Sequence, residues 1–239
     1  MILEVIASSI FDAITAHAAG ADRLEFAVDL AAGGLTPSLG LLEAVRAAVP
    51  IPVFVMLRPR PGGFCYDRDE FAVLQRDLGI AKAAGAHGFV AGVLGADHRL
   101  DRDRMRALVD LAAPLPLTCH RAFDLVPDQT VALEELIGLG VTRVLSSGAA
   151  PDAFAGRLRL AALVQQAAGR IVVMAGAGIE AGNVRELVAV TGVREVHASC
   201  AIAVEDDAGF GQARRVDAAK VRALRSSFST AYFSTRMDS

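Results

Sequence analysis

Three side chains in this sequence could move protons, and each lies in or directly after a short apolar segment. Glu25 lies in Arg-Leu-Glu-Phe, His120 ends Leu-Pro-Leu-Thr-Cys-His, and His197 lies in Glu-Val-His-Ala. An imidazole titrates near neutral pH, and a carboxylate tuned by a nearby charge can accept a proton. The three are therefore candidate catalytic acids or bases. For Glu25, a structural ion pair with an arginine such as Arg58 is an equally good interpretation, and Glu4 in the first apolar segment is expected to be structural.

Other polar residues are suited to binding a small anion. The arginines in the loop 58–63 can bind a carboxylate or phosphate through two hydrogen bonds, and glycines before a predicted helix at 176–178 let backbone N–H groups approach one. Structural roles are the alternative, because solvated turns also carry arginines, aspartates cap helices, and tight turns need glycine. The candidate substrate-binding residues are Arg58, Arg60, Tyr66, Arg121, Asp124, Ser146, Ser147, Gly148, Gly176, Gly178, Asn183 and Ser199.

Four near-copies of one short pattern indicate the elements that position these side chains. The copies begin at Gly20, Gly85, Gly140 and Gly192, each after an apolar helical stretch and before a β-branched or aromatic run. Glycine adopts the left-handed conformation at a helix end without a steric clash, so each copy marks a junction from helix to strand. Four more strands are predicted at residues 1–6, 51–57, 115–120 and 171–175.

Eight strands alternating with helices predict an α/β protein, a (β/α)8 TIM barrel with a single domain. A chain of 239 residues has about the length that this fold requires. We expect the barrel to occupy residues 1–227, followed by a flexible tail at 228–239 that is rich in Ser and Thr. Active sites of such barrels lie at the carboxyl ends of the strands, where the candidate residues would meet.

The composition argues against several kinds of partner. A net charge of −3 provides no basic face for nucleic acid. No apolar run is long enough to span a membrane, and the first residues do not resemble a secretory signal. The three cysteines, Cys65, Cys119 and Cys200, are widely spaced and do not suggest a disulfide framework. We therefore expect a cytoplasmic protein.

Seven segments, in order along the chain, resemble the CutC family, which is named for copper homeostasis. The resemblance implies a TIM barrel, a cytoplasmic location, a homo-oligomer and a connection to copper. The segments are GADRLEF (20–26), GGLTPSLG (33–40), RPRPGGFCYD (58–67), TCHRAFD (118–124), LSSG (145–148), AGAGI (175–179) with Asn183, and EVHAS (195–199).

The resemblance makes a copper ion an expected ligand, with no other cofactor expected. Cu(I) prefers thiolate ligands, which makes Cys65 and Cys119 candidate metal ligands, although a buried cysteine is often only a small apolar side chain. Two function hypotheses follow. One is a CutC-like cytoplasmic protein of copper homeostasis that binds a copper ion. The alternative is an enzyme that acts on a small anionic substrate, phosphorylated or carbonyl- or sugar-like, by acid/base chemistry at the carboxyl face of the barrel. The sequence leaves both open.

Overall fold

A computed structural model describes residues 1–204 and 213–229 of the chain. Eight parallel strands pair in chain order, and the eighth pairs with the first to close a barrel. The predicted (β/α)8 fold is confirmed. An antiparallel hairpin of two further strands follows the barrel. The strands are β1 (Ile2–Ala7), β2 (Arg23–Phe26), β3 (Val53–Met56), β4 (Gly88–Ala91), β5 (Leu117–Cys119), β6 (Arg143–Ser146), β7 (Val172–Gly176), β8 (Glu195–Ala198), β9 (Ala201–Val204) and β10 (Ala213–Val216).

Helices follow the barrel strands, and local signals in the sequence set their ends. The four repeated glycines have φ between +71° and +104°, as predicted for helix-to-strand junctions. At the other end of a helix, Asp67 and Glu70 form a reciprocal capping box. The helices are α1 (Ile10–Ala18), α2 (Leu39–Ala48), α3 (Arg68–Ala83), α4 (Arg102–Ala112), α5 (Gln129–Leu139), α6 (Arg157–Ala167), α7 (Val184–Thr191) and α8 (Ala218–Ser229).

The end of the chain is described only in part. Helix α8 ends at Ser229, so the first two residues of the expected tail are helical. The remainder of that tail, 230–239, lies outside the described residues. Across the described helices, none combines the length and apolar character needed to cross a membrane.

Alternation along the strands separates an apolar layer from a charged interior. Leu24 and Phe26 belong to the large core between strands and helices, whereas Arg23 on the same strand points to the barrel interior. Arg23 donates hydrogen bonds to Glu4 at 2.5 Å and to Glu195 at 2.6 Å. Arg143 also donates to Glu195, again at 2.5 Å. Two arginines and two glutamates therefore balance one another inside the barrel, below the mouth where the candidate site residues converge.

Candidate functional site at the carboxyl end of the barrel

A cavity of about 290 Å³ opens at the carboxyl ends of the strands, and the three candidate acid/base residues all line it. Four of the candidate substrate-binding residues, Arg58, Arg121, Gly178 and Ser199, line it as well. The other eight lie outside the lining. The full lining is Ile6, Glu25, Gly33, Met56, Arg58, Phe64, His120, Arg121, Leu145, Ala177, Gly178, Ile179, Glu180, His197, Ala198 and Ser199.

Glu4, Glu25 and His197 form a compact group on β1, β2 and β8. One potential ligand atom from each lies within 4.8 Å of the other two, and Nδ1 of His197 lies 2.9 Å from Oε1 of Glu4. Although burial opposes ionisation, the contacts with His197 and Arg23 lower the pKa of Glu4 to about 2. Burial alone would lower the pKa of His197, but the carboxylates of Glu25 and Glu4 outweigh the effect of burial and raise that pKa overall. The group can hold a proton or a cation between its carboxylates and its imidazole.

No counter-ion among the described residues makes a hydrogen bond with the Glu25 carboxylate. It is 2% exposed, and its Oε2 finds no hydrogen-bond partner among residues 1–204 and 213–229. Burial raises the pKa of Glu25 to about 7, against the attraction of His197. The alternative ion pair with Arg58 is not formed, because the Arg58 guanidinium binds backbone oxygens instead. It donates to the carbonyls of Ala32, Gly34 and Gly62.

Arg60 and Tyr66 stabilise the loop between β3 and α3. The Arg60 guanidinium contacts the carboxylate of Glu70 and donates to the carbonyls of Gly63 and Cys65. It also lies over the Tyr66 ring at 5.3 Å, and burial raises the pKa of Tyr66 to about 12. The structure thus gives both residues a structural role, in place of the anion contact that we expected.

His120 is fixed at the cavity wall as a neutral ring. Its Nδ1 accepts the N–H of Ala122 at 3.2 Å, and the Phe64 ring centroid lies 4.6 Å away. Burial and the charge of Arg58 lower the pKa of His120 to about 4. Since a backbone N–H only donates, the proton of the neutral imidazole is on Nε2, and that atom has no partner in the described part of the chain.

Asp124 occupies the turn that was predicted to bind an external anion. Its carboxylate accepts Ser146 Oγ at 2.5 Å, Ser147 N at 3.0 Å and Ala149 N at 3.2 Å. It also accepts Arg121 Nε at 2.8 Å. Asp124, Ser146 and Ser147 therefore satisfy one another and do not line the cavity, and a role for them in substrate binding stays a prediction. Arg121 reaches both this cluster and the cavity.

The remaining glycines and Asn183 shape the backbone near the cavity. Gly148 donates its N–H to Ser146 Oγ at 2.8 Å, inside the Asp124 cluster. Gly176 lies under the cavity floor, where an added Cβ would come within 2.5 Å of Leu145 Cδ1. Asn183 donates to the carbonyl of Gly178 at 2.7 Å and so supports the loop after β7. Ser199 lines the cavity and is exposed.

The two cysteines predicted as metal ligands lie away from the cavity lining. Cys119 precedes the inward-facing His120 and packs in the apolar core instead. Burial, with a contribution from Asp124, raises the pKa of the Cys119 thiol to about 12. Cys65 is exposed. Within the described ranges, neither belongs to a group of three potential metal ligands.

Sequence reasoning missed two contributors to the site. Glu4, which we expected only to be structural, forms an ion pair with Arg23, and it also contacts His197 and joins the ligand group. Its signal was an acidic residue at an inward position of an otherwise apolar strand. Glu180 lines the cavity from the loop after β7, and its position in an irregular loop carried no signal.

Most of the chain is similar to proteins of one family. The CutC family model matches residues 1–202. The copper homeostasis protein cutC homolog of Homo sapiens is 44% identical over 198 residues, which cover 83% of this chain and 72% of the relative. A family protein CutC of Vibrio cholerae serotype O1 is 47% identical over 199 residues, covering 82% and 78% of the two chains. A solved CutC structure from Streptococcus agalactiae has a TM-score of 0.80 at 31% identity, covering 83% of this chain and 98% of that one.

Proposed function

Because this chain belongs to the CutC family, we propose that it takes part in copper homeostasis by binding a copper ion at the cavity in the barrel mouth. The connection to copper homeostasis comes from the names of its relatives. The observation that supports a specific site is the group Glu4, Glu25 and His197, whose potential ligand atoms lie within 4.8 Å of one another.

The donor atoms of this group are suited to Cu(II). Imidazole nitrogen is a common copper ligand, and at a given nitrogen and oxygen site Cu(II) binds more tightly than the other divalent first-row metals. His197 uses Nδ1 toward Glu4, which leaves Nε2 for an ion, and a carboxylate on the second nitrogen is typical of metal-binding histidines. Glu25 supplies a buried oxygen that has no hydrogen-bond partner in the described ranges, and a cation would offset the cost of burying its charge.

A thiolate site for Cu(I) at Cys65 and Cys119 stays a prediction with less structural support. Cu(I) prefers thiolates, but the pKa of Cys119 is raised to about 12, so its thiol is protonated at neutral pH. The sulfur also lies in the core rather than at the cavity. We therefore assign the copper ion to Glu25 and His197, with Glu4 orienting the ring.

The test is copper binding to metal-free protein, with Cu(II) followed by calorimetry and Cu(I) by competition with a chromophoric chelator. We expect one Cu(II) per chain, an electron paramagnetic resonance signal with coupling to one imidazole nitrogen, and at least a tenfold loss of affinity in His197→Gln and Glu25→Gln. Cys65→Ser and Cys119→Ala are the matched variants for the thiolate prediction.

The outcomes separate the two sites. If only the cysteine variants lose copper binding, the ion is bound at the thiolate site and not at the cavity. Copper that does not bind to the unaltered protein in either oxidation state would refute copper binding altogether. Equal loss in both sets of variants would argue against a localised site.

We also propose a cytoplasmic location and a homo-oligomer. The free cysteines Cys65, Cys119 and Cys200 suit a reducing compartment. Phe11 and Ile14 on α1 are 55% and 47% exposed, which suits contact with a second copy. Light scattering after size exclusion should give a mass above the 25.0 kDa of one chain. A monomer that persists at high concentration would contradict the oligomer.

A further inference from the structure

We infer that the cavity also binds a small oxyanion, a carboxylate or a phosphate, at hydrogen-bond donors distinct from the proposed copper ligands. The inference concerns three other parts of the cavity lining, which are His120, Arg58 and the loop after β7. It does not depend on copper.

His120 provides the first donor. The ring is 4% exposed, and its Nε2–H has no acceptor in the described part of the chain. The ring cannot swing away easily, because Phe64 packs on it at 4.6 Å and Gly92 lies so close that a Cβ there would approach His120 Cε1 to 2.6 Å. Native structures rarely leave a buried donor without an acceptor, so this N–H is suited to donate to an atom of a bound ligand.

Arg58 provides a second donor on the same cavity. It is 5% exposed, and its terminal nitrogens are engaged by loop carbonyls. Its Nε–H is buried without a partner among the described residues. Three of its N–H groups thereby hold the positive guanidinium in place, and its Nε–H stays available for a ligand. His120 and Arg58 together present two donors, one of them charged, and this combination selects an oxygen-rich anion.

The loop after β7 extends this donor surface. Gly178 and Ile179 line the cavity, and their backbone N–H groups donate to no acceptor that the described residues supply. Arg121 adds a half-exposed guanidinium whose Nε and one terminal nitrogen bind Asp124 and Ser147. Backbone N–H groups beside a fixed cation are a common anion-binding arrangement.

Two carboxylates, Glu25 and Glu180, face the same cavity, and they restrict what the rest of the ligand can be. An anionic group near either carboxylate would be repelled, and Glu180 directly follows Ile179, so the oxyanion belongs at His120 and Arg58. The other end of the ligand must present hydrogens to Glu25. A cavity of about 290 Å³ is at the lower end of ligand-pocket sizes. The ligand class is therefore a small carboxylate or phosphate ester that also carries a hydroxyl or amino group.

The test uses the full-length protein after treatment with EDTA, so that no copper is present. Malonate and inorganic phosphate are titrated separately by calorimetry. We expect saturable binding of at least one of them. In His120→Leu the Kd should rise at least about tenfold, because a hydrogen bond to a charged group is lost. His120→Gln, whose amide can place a donor near Nε2, should retain more of the affinity. His17→Gln on α1, away from the cavity, is the matched control and should bind as the unaltered protein does.

A second measurement needs no variant. Nitrogen-15 NMR of the unaltered protein should show the His120 Nε2 resonance shifting as the anion is added. The inference is overturned if neither anion binds at about 10 mM, if His120→Leu binds as well as the unaltered protein, or if the Nε2 resonance does not move. Binding of phosphate alone would assign a phosphate ester, and binding of malonate alone a carboxylate. Failure here would leave the copper proposal intact, since copper is absent from every titration.

Discussion

Glu4 and His197 are joined by a contact of 2.9 Å between Oε1 and Nδ1. The second oxygen of the same carboxylate accepts Arg23 Nε at 2.5 Å. One fully buried glutamate thus orients both an imidazole at the cavity and a guanidinium in the charged layer beneath it. Glu4 therefore couples the stability of the barrel interior to the geometry of the site.

Glu4→Gln should lower the free energy of unfolding by about 3 kcal/mol. Removing one carboxylate of this buried group leaves Arg23 with Glu195 alone, which Arg143 also contacts. Urea denaturation measures this change. Glu134→Gln is the matched control, since Glu134 pairs with Arg170 and both side chains are 47% exposed. Its effect should be much smaller, because an exposed ion pair contributes little to stability. Equal losses of stability in the two variants would show that the buried ion pair contributes no more to the free energy of unfolding than the exposed one.

Glu25→Gln should change how stability depends on pH. The pKa of Glu25 is raised to about 7 in the folded protein from 4.5, so the folded state binds the proton more tightly. Its contribution to stability is complete below about pH 4.5 and is lost as pH rises through 7. The glutamine cannot ionise, so the variant should gain up to about 3 kcal/mol relative to the unaltered protein between pH 4.5 and 8.

Urea denaturation at several pH values tests this prediction. The groups that act on Glu25 are His197, Glu4 and Arg23, and all three remain in the variant. Glu134→Gln again serves as the control, and its difference from the unaltered protein should be flat above pH 5, because Arg170 and Gln166 lower the pKa of Glu134. A flat difference for Glu25→Gln as well would show that the carboxylate is already ionised or solvated.

The fold was predictable because its signals are local. A glycine at a helix end and a run of β-branched residues after it depend only on neighbours in sequence, and four such junctions suffice to indicate the alternating pattern. Alternation along a strand explains which side chains share a face, although our prediction of Cys119 as a metal ligand did not follow it. Glu25, His120 and His197 meet at one cavity for that reason, and Cys119 faces away from it for the same reason.

The partners of the site residues were not predictable, because they depend on distances between loops. Arg58 was suited to an external anion by type, yet carbonyls of two loops bind most of its guanidinium. Ser146 and Ser147 were expected to bind a substrate, but they bind the carboxylate of Asp124, which lies in the preceding strand-to-helix connection. The sequence indicates that this turn is rich in hydrogen-bond donors. It does not show which acceptor contacts the turn in the folded protein.

Asp124→Asn should therefore destabilise the protein strongly. The carboxylate is 5% exposed and accepts hydrogen bonds from side chains and backbone of the turn after β6. The NH2 group of an asparagine would face the hydrogen-bond donors of this turn. We therefore expect urea denaturation to show a free energy of unfolding lower by about 2–4 kcal/mol. Asp97→Asn, at an aspartate 66% exposed beside Arg99, should change stability by less than about 1 kcal/mol. A mild effect at Asp124 would imply that water or an external anion can replace its carboxylate.

Gly92→Ala should disturb His120 without removing any of its atoms. The new Cβ would lie 2.6 Å from Cε1 of His120 and 2.9 Å from Cβ of Ala122, so the ring must move. We expect a loss of about 1–3 kcal/mol in stability from overpacking, together with weaker binding of malonate or phosphate and a shifted Nε2 resonance. Gly79→Ala in α3, where a Cβ meets nothing within 4 Å, should instead raise stability by up to about 1 kcal/mol and leave anion binding unchanged. If Gly92→Ala lost stability but bound the anion as before, the position of the His120 ring would not matter for binding, and the donor assigned to it would have to lie elsewhere on the cavity wall.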